Sequence, residues 1–225
     1  MYKYETHLHT SPISKCASGT VRECLEFYKK LNYDGVFITN HFLDGNINVD
    51  RQLSYEEKIN FYFSDYEDGF EIGKELGIKV FPGVEISYKG TDFLIYGLSK
   101  EWYLAHPEIM EMKKSVELKL MMDSGALVIH AHPYRESSYI DHIRLFPRCV
   151  NGVETLNASR KKEENEMAEL YRKHYGLLNF AGSDNHAAGK ATHLAGMQSE
   201  TEIISEEDFV NKVKNGELKI FSTEL

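Results

Sequence analysis

The feature of this chain that most constrains its fold is an alternation of short runs rich in β-branched residues with longer amphipathic segments. The short runs predict strands at 35–39, 78–81, 84–87, 93–96, 126–132, 153–156 and 178–181. The longer segments predict helices at 21–31, 55–76, 108–122, 161–174 and 206–215. Such alternation is typical of a parallel sheet, and about seven strands favour a closed barrel over an open sheet. We therefore expect one α/β domain over residues 1–225.

Several of these helices have recognisable boundaries. Thr20 followed by Glu23 resembles a capping box, and Ser205 can cap the last helix. Gly77 and Gly176 stop helices directly before predicted strands.

Histidines and carboxylates stand in or just after the predicted strands. His7 and His9 lie two residues apart in an extended segment, so both side chains point to one face. His130 and His132 repeat this spacing at the end of the run ALVIHAH. The remaining members of the set are His41, Glu85, Asp92, Asp184 and His186.

Residues far apart in the sequence can meet in a barrel, because the carboxyl ends of its strands converge on one face. Imidazoles and carboxylates gathered there are ligands for a borderline divalent cation. Burying them without a cation would leave several polar groups unpaired, at a considerable cost in free energy. The pattern therefore predicts a metal centre, whereas His106, His142 and His174 fit ordinary core or surface positions.

Charge and hydropathy limit the partners of the protein. Its formal net charge of −9 disfavours long nucleic acids and a membrane surface. No secretion signal or long apolar run is present, so we expect a cytoplasmic protein. Cys16, Cys24 and Cys149 lack CxxC spacing and are expected to be reduced, structural thiols.

The order of the motifs resembles that of the polymerase and histidinol phosphatase (PHP) family of metal-dependent phosphoesterases. The matching stretches are HLH, ITNH, GVEIS, AHP and GSDNH, which extend from His7 to His186. This resemblance implies a distorted (β/α)7 TIM-like barrel, the PHP fold, with two or three divalent metal ions at its carboxyl face. The metals would be Zn, Mn or Fe, since all three suit such ligands.

The resemblance also implies roles for individual residues. His7, His9, Glu85 and Asp184 match the ligands of a first metal. Glu85 would bridge to a second metal, because a carboxylate offers two oxygens where imidazole offers one free nitrogen. His132 would also hold this second metal.

Further ligands follow from the same resemblance. Asp92 stands where the family often has a histidine ligand, and His130 is either a ligand or a partner that orients one. His41 and His186 match ligands of a third metal. The chain departs from the pattern at Asn40, where aspartate is usual, and at Lys15, where a third-metal ligand is usual; Lys15 could instead bind substrate.

The implied chemistry is phosphoester hydrolysis. Two metals would hold a shared hydroxide, with Glu85 bridging both metals and Asp184 holding the first. The leaving alkoxide needs a proton or a cation, which His186, His193 or a third metal could supply. Four cationic side chains could reach the substrate phosphate, although each could equally be an ordinary surface residue: Lys15, Arg135, Arg160 and Lys190.

The sequence thus favours hydrolysis of a small phosphate monoester, such as histidinol phosphate, a sugar phosphate or a nucleotide. Hydrolysis of amides or lactones is the alternative, because hydroxide held by two metals also attacks carbonyl carbon. A third possibility is a metal-binding module without turnover. The oligomeric state does not follow from the sequence.

Overall fold

The computed structural model describes residues 1–225, which form ten strands and six α-helices. The strands are β1 (Tyr2–Leu8), β2 (Gly35–Ile38), β3 (Lys79–Pro82), β4 (Val84–Tyr88), β5 (Thr91–Tyr96), β6 (Leu127–Ala131), β7 (Gly152–Asn157), β8 (Leu178–Gly182), β9 (His193–Ser199) and β10 (Lys219–Glu224). The helices are α1 (Val21–Lys30), α2 (Tyr55–Leu76), α3 (Lys100–Ala105), α4 (Lys114–Asp123), α5 (Lys162–Tyr175) and α6 (Glu206–Lys214).

The local helix signals are confirmed. The Thr20 side chain accepts a hydrogen bond from the backbone N–H of Glu23, whose carboxylate accepts one from the Thr20 N–H in return. Gly77 and Gly176 end α2 and α5 in the left-handed conformation that glycine adopts readily. The predicted helix at 108–122 is wrong in its extent, because a short 3-10 helix at Pro107–Glu111 precedes α4. Helix α3 was not predicted.

The prediction of a parallel sheet is only partly correct. Strands β1, β2 and β3 are parallel, as are β6, β7 and β8, but β5 runs antiparallel to β4 and β6. The reason is the short connection between β4 and β5, since parallel neighbours need a crossover of about a dozen residues. Lys89 and Gly90 form this two-residue turn with φ of 51° and 82°, which suits a tight hairpin.

The strands form two five-stranded sheets and no single closed sheet, so the fold differs from the expected barrel. The first sheet has the order β10-β9-β1-β2-β3, and the second has the order β4-β5-β6-β7-β8. Isolated bridges connect the sheets at Leu8–Asn185 and at His41–Glu85. The result is a mixed α/β fold whose two sheets meet at those bridges.

A shared apolar core holds the two sheets together. Tyr4 and Phe37 from the first sheet are in one buried cluster with Tyr96 and Phe180 from the second, and Phe209 of α6 belongs to the same cluster. No helix combines the length and hydrophobicity needed to cross a bilayer. The single-domain assignment remains a prediction.

The connections between the sheets are especially close beside His7. A Cβ atom on Gly182 would clash with the Cβ of His7 and would lie 2.8 Å from the carboxylate of Glu154. Glycine at this position therefore lets β8 approach β1 where the polar residues gather.

Candidate metal centre

Seven of the predicted metal ligands come together where the two sheets meet. They form three overlapping groups whose ligand atoms lie within 4.8 Å of one another. The groups are His7, Glu85 and His132; His7, His9 and Asp184; and His9, His41 and His186. We call this set the metal-ligand cluster.

The backbone is strained at two members of this cluster. His132 follows β6 with a φ of 25°, and Asp184 follows β8 with a φ of 54°. A residue with a side chain adopts such angles at a cost of about 1–3 kcal/mol, and positions of this kind concentrate at functional sites. Both side chains are thereby turned towards Glu85, His7 and His9.

A buried carboxylate sets the orientation of His7. His7 Nδ1 lies 2.9 Å from Glu154 Oε1, and both side chains are fully buried. A carboxylate can only accept here, so Nδ1 donates and Nε2 faces Glu85 at 3.2 Å. Burial lowers the pKa of His7, but the charges of Glu154 and Asp184 outweigh it and raise the pKa well above its ordinary value. This position strongly favours positive charge.

Ser14 orients His9 in a similar way. The Ser14 hydroxyl donates to Asn40 Oδ1 at 2.7 Å, so it accepts from His9 Nδ1 at 3.2 Å. It also accepts from the backbone N–H of His41. His9 Nε2 therefore faces Glu85 and Asp184, each 3.4 Å away. Asn40, where the sequence departed from the family pattern, supports a ligand through Ser14.

Glu85 provides the test of whether a cation fits. It is fully buried, and neither of its carboxylate oxygens has a correctly oriented hydrogen-bond donor. Its oxygens instead lie 2.6 Å from His41 Nδ1 and 3.4 Å from His132 Nε2. A divalent cation between these nitrogen and oxygen atoms would satisfy both, and such mixed ligands are typical of zinc and other transition metals. The residues present fit a metal.

The cluster opens into a cavity of about 600 Å³, which we call the ligand cavity. Its wall includes Glu85, His132, Asp184 and His186, while His7 and His9 are fully buried. Arg135 and Arg160 also line this cavity. The Nε atoms of both arginines lack an acceptor within the protein. Lys89, which the sequence did not single out, lies on the same wall.

Asp92 contacts an arginine more closely than it contacts any metal ligand. Its Oδ2 is 3.0 Å from Arg135 Nη2 but 4.0 Å from His132 Nε2. Burial raises the pKa of Asp92, and the negative charge of Glu85 adds to this effect. The geometry therefore gives Asp92 a role in holding Arg135 at the ligand cavity.

His130 lies apart from the metal-ligand cluster. Its ring stacks on Phe93 with centroids 4.9 Å apart, and Nδ1 lies 3.4 Å from the Tyr171 hydroxyl. Burial, with a contribution from His132, lowers the pKa of His130 to about 3. His130 and His132 were expected to point to the same face of β6. They do not, because the left-handed backbone at His132 interrupts the alternation of side chains along the strand.

The other predicted residues lie outside the ligand cavity. His193 and Lys190 line a neighbouring cavity that also contacts Asp184 and His186. Lys15 is exposed and lines a third cavity with Leu43 and neighbouring residues. The substrate-binding role of Lys15 stays a prediction, since its cavity shares Asp44, Gly45 and Asn46 with the ligand cavity.

Cys16, the next residue, occupies the position expected for Lys15. It lines the ligand cavity with His41 and His186. Burial raises the pKa of the thiol, but the neighbouring imidazoles of His186 and His41 outweigh this effect and lower the pKa to about 6. Sequence reasoning missed Cys16 because an irregular loop has no side-chain periodicity.

Glu154 is the second functional residue that the sequence analysis missed. One oxygen orients His7, and the other accepts from the backbone N–H of His132 at 3.0 Å and from Asn157 Nδ2 at 2.9 Å. The only signal was a charged residue inside the apolar strand VETL. Such a carboxylate, hydrogen-bonded to a ligating histidine, tunes both its orientation and its basicity.

We expect Glu154→Gln to weaken metal binding by about ten- to a hundredfold. Glutamine keeps the size of the side chain but loses the charge that holds the Nδ1 proton of His7. Titration with zinc, followed by a competing chromophoric chelator, measures the affinity. Glu163→Gln, an exposed change on α5, is the control; equal affinities for the two variants would remove Glu154 from this role.

Comparisons with known proteins agree with this architecture. No protein-family model and no curated protein matches the chain. A two-domain protein from Bacteroides vulgatus ATCC 8482, containing a predicted PHP-like metal-dependent phosphoesterase, has a similar structure with a TM-score of 0.67 and 15% identity. The match covers 98% of this chain and 64% of that protein, so this chain spans less than two thirds of its length.

Two further structures are similar. A candidate metal-dependent phosphoesterase from Bifidobacterium adolescentis ATCC 15703 matches with a TM-score of 0.57 and 14% identity over 94% of this chain and 95% of that one. An amidohydrolase from Chromobacterium violaceum matches with a TM-score of 0.54 and 13% identity over 84% of this chain and 89% of that one. At such low identity the likeness concerns the fold, and at that level the resemblance seen in the motifs is confirmed: this chain has a PHP-like fold.

Proposed function

We propose that this protein is a metal-dependent phosphoesterase that hydrolyses a small phosphate monoester. The observation that carries the proposal is the position of Glu85, whose two unpartnered, buried oxygens face imidazoles on a cavity that also presents Arg135 and Arg160. Carboxylates and imidazoles suited to a cation thus share one cavity with two guanidinium groups suited to a phosphate. Two or three divalent ions, with zinc, manganese and iron as the choices, would be held by the metal-ligand cluster.

Each group of residues has a distinct task in this proposal. When bound, the cations would supply Lewis acidity and lower the pKa of a water molecule. Glu85 has two carboxylate oxygens and could bind two cations, which His7, His9, His132 and Asp184 would help to hold. The buried supports Glu154 and Ser14 keep the ligand nitrogens of His7 and His9 aimed at the cluster.

The arginines would bind and orient the phosphate. A guanidinium presents paired N–H donors that match phosphate oxygens. Arg135 is held by Asp92 on one side, and its guanidinium lies 5.6 Å from the Tyr139 ring centroid on the other. His186 lies on the ligand cavity and His193 on the neighbouring one, so His186 would be the better placed of the two to protonate the leaving alkoxide when it holds no cation.

The size of the cavity and the charge of the protein favour a small substrate. A cavity of about 600 Å³ admits a sugar phosphate, histidinol phosphate or a nucleotide. The net charge of −9 disfavours long polyanions. Hydrolysis of an amide or lactone is the second candidate, and the structural similarity to an amidohydrolase favours it.

Two experiments distinguish phosphoester hydrolysis from amide or lactone hydrolysis: activity measured on panels of both substrate classes, and substitution of Arg135. We expect phosphate release from small esters in the presence of zinc, manganese or iron(II), and little hydrolysis of lactones or amides. Arg135→Gln should raise KM for the best ester by about ten- to a hundredfold, because a charge-assisted hydrogen bond is lost. Its metal content should stay unchanged.

Arg148→Gln, an exposed change away from the ligand cavity, is the matched control and should behave as wild type. Carbonyl hydrolysis without phosphate release by the metal-loaded protein would support the second candidate. Full metal content with turnover of neither panel would instead indicate a metal-binding module.

A further inference from the structure

The third group of possible ligands consists of three imidazoles, those of His9, His41 and His186. Cys16 adds a sulfur atom beside this group, since it lines the ligand cavity together with His41 and His186. We propose that Cys16 is a thiolate ligand of the cation held by His41 and His186, which makes this position selective for a thiophilic metal such as zinc. The inference rests on the metal centre proposed above.

Backbone hydrogen bonds hold Cys16 in this place. The N–H of Lys15 donates to Asn46 O at 2.9 Å, and the N–H of Ser18 donates to His186 O at 2.8 Å. The N–H of Ala17 closes a turn onto Ser14 O at 3.1 Å. The loop is therefore fastened to the segment that carries His186, with Lys15 on another cavity and Cys16 on the ligand cavity.

A second observation places a cation at this point. Glu85 is fully buried and lacks a hydrogen-bond donor, yet its Oε2 lies 2.6 Å from His41 Nδ1 on the same cavity. The His186 ring is stacked on His9 at 4.2 Å, and its Nδ1 donates to Asp184 O, which leaves Nε2 free for a ligand. The cysteine thus lines the same cavity as a buried carboxylate without a correctly oriented hydrogen-bond donor.

Sulfur changes the metal that such a group prefers. Zinc binds cysteine sulfur and histidine nitrogen in the same site, and a further position can be an oxygen ligand or water. Manganese prefers oxygen ligands, so it would gain little from the thiolate. Loss of the Cys16 sulfur is therefore expected to weaken zinc binding more than manganese binding.

The test uses cobalt(II) as a coloured substitute for zinc in the full chain. We expect a thiolate-to-cobalt charge-transfer band in the near ultraviolet for wild type and for Cys149→Ser, a matched change of the half-buried thiol outside the cavity. Cys16→Ser should lose the band and about one equivalent of cobalt. Cys16→His should again bind this equivalent of cobalt, but it should not show the charge-transfer band.

Thiol reactivity gives an independent readout in the unmodified protein. Cys16 is exposed, so zinc should slow its alkylation by about tenfold or more, while Cys149 is unaffected. Bound cobalt without the band, or alkylation of Cys16 that is indifferent to bound zinc, would overturn the assignment of Cys16 alone. A protein that takes up no metal would overturn both this inference and the metal centre itself.

Discussion

Glu85→Gln is expected to lower metal-dependent phosphate release by on the order of a thousandfold while the protein stays folded. The glutamine side chain has a single oxygen, and its amide NH2 group is a hydrogen-bond donor that does not bind a cation. The variant therefore cannot hold two metals through one side chain. Elemental analysis of the dialysed protein should show a matching loss of metal, and circular dichroism should show unchanged secondary structure.

Glu117→Gln is a useful control for this change. Glu117 is also a buried glutamate, but it pairs with Lys114 at 2.7 Å, away from the metal-ligand cluster. This variant should keep its metal and its activity, even if it is less stable. If Glu85→Gln retained metal and turnover equal to those of Glu117→Gln, Glu85 would have no bridging role.

Removal of the metal is expected to lower Tm by roughly 10 °C. Glu85, Glu154 and Asp184 are buried, and each lies within 3.5 Å of His7, so a bound cation would relieve the repulsion between their charges. A ligand present at a thousand times its Kd stabilises a protein by about 4 kcal/mol. For a chain of this size, each kcal/mol corresponds to about 2–4 °C in Tm.

Calorimetry of the protein with and without a chelator measures this shift. Zinc or manganese added back should restore the original Tm, and Glu85→Gln should respond less to either treatment. An unchanged Tm after verified removal of the metal would mean that the buried carboxylates are compensated within the protein. The neighbouring histidines would then have to carry the compensating charge.

Local patterns in the sequence predicted many of the elements and most of the cluster. The caps at Thr20 and Gly77 depend only on adjacent residues, so they could be read directly. The spacing of His7 and His9 likewise places both imidazoles on one face of β1 and its extension. These features need no knowledge of how the strands pair.

The remaining features depend on tertiary structure. The left-handed backbone at His132, which separates it from His130, occurs at a residue that ordinarily avoids this conformation. Cys16 rather than Lys15 reaches the ligand cavity because distant segments fasten the loop. Glu154 supports His7 only because β7 and β8 place it against β1. No periodicity in the sequence records these contacts.

The close approach at Gly182 has a consequence for how such a centre can be altered. The fully buried His7 has a glycine on one side and the buried carboxylate of Glu154 on the other, so even one methyl group added at Gly182 would displace it. Arg135 and Tyr139, in contrast, are partly exposed at the mouth of the cavity. Variation of residues at the mouth, such as Arg135 and Tyr139, should therefore yield new substrate preferences. Variation around His7 and Gly182 should yield mostly inactive proteins.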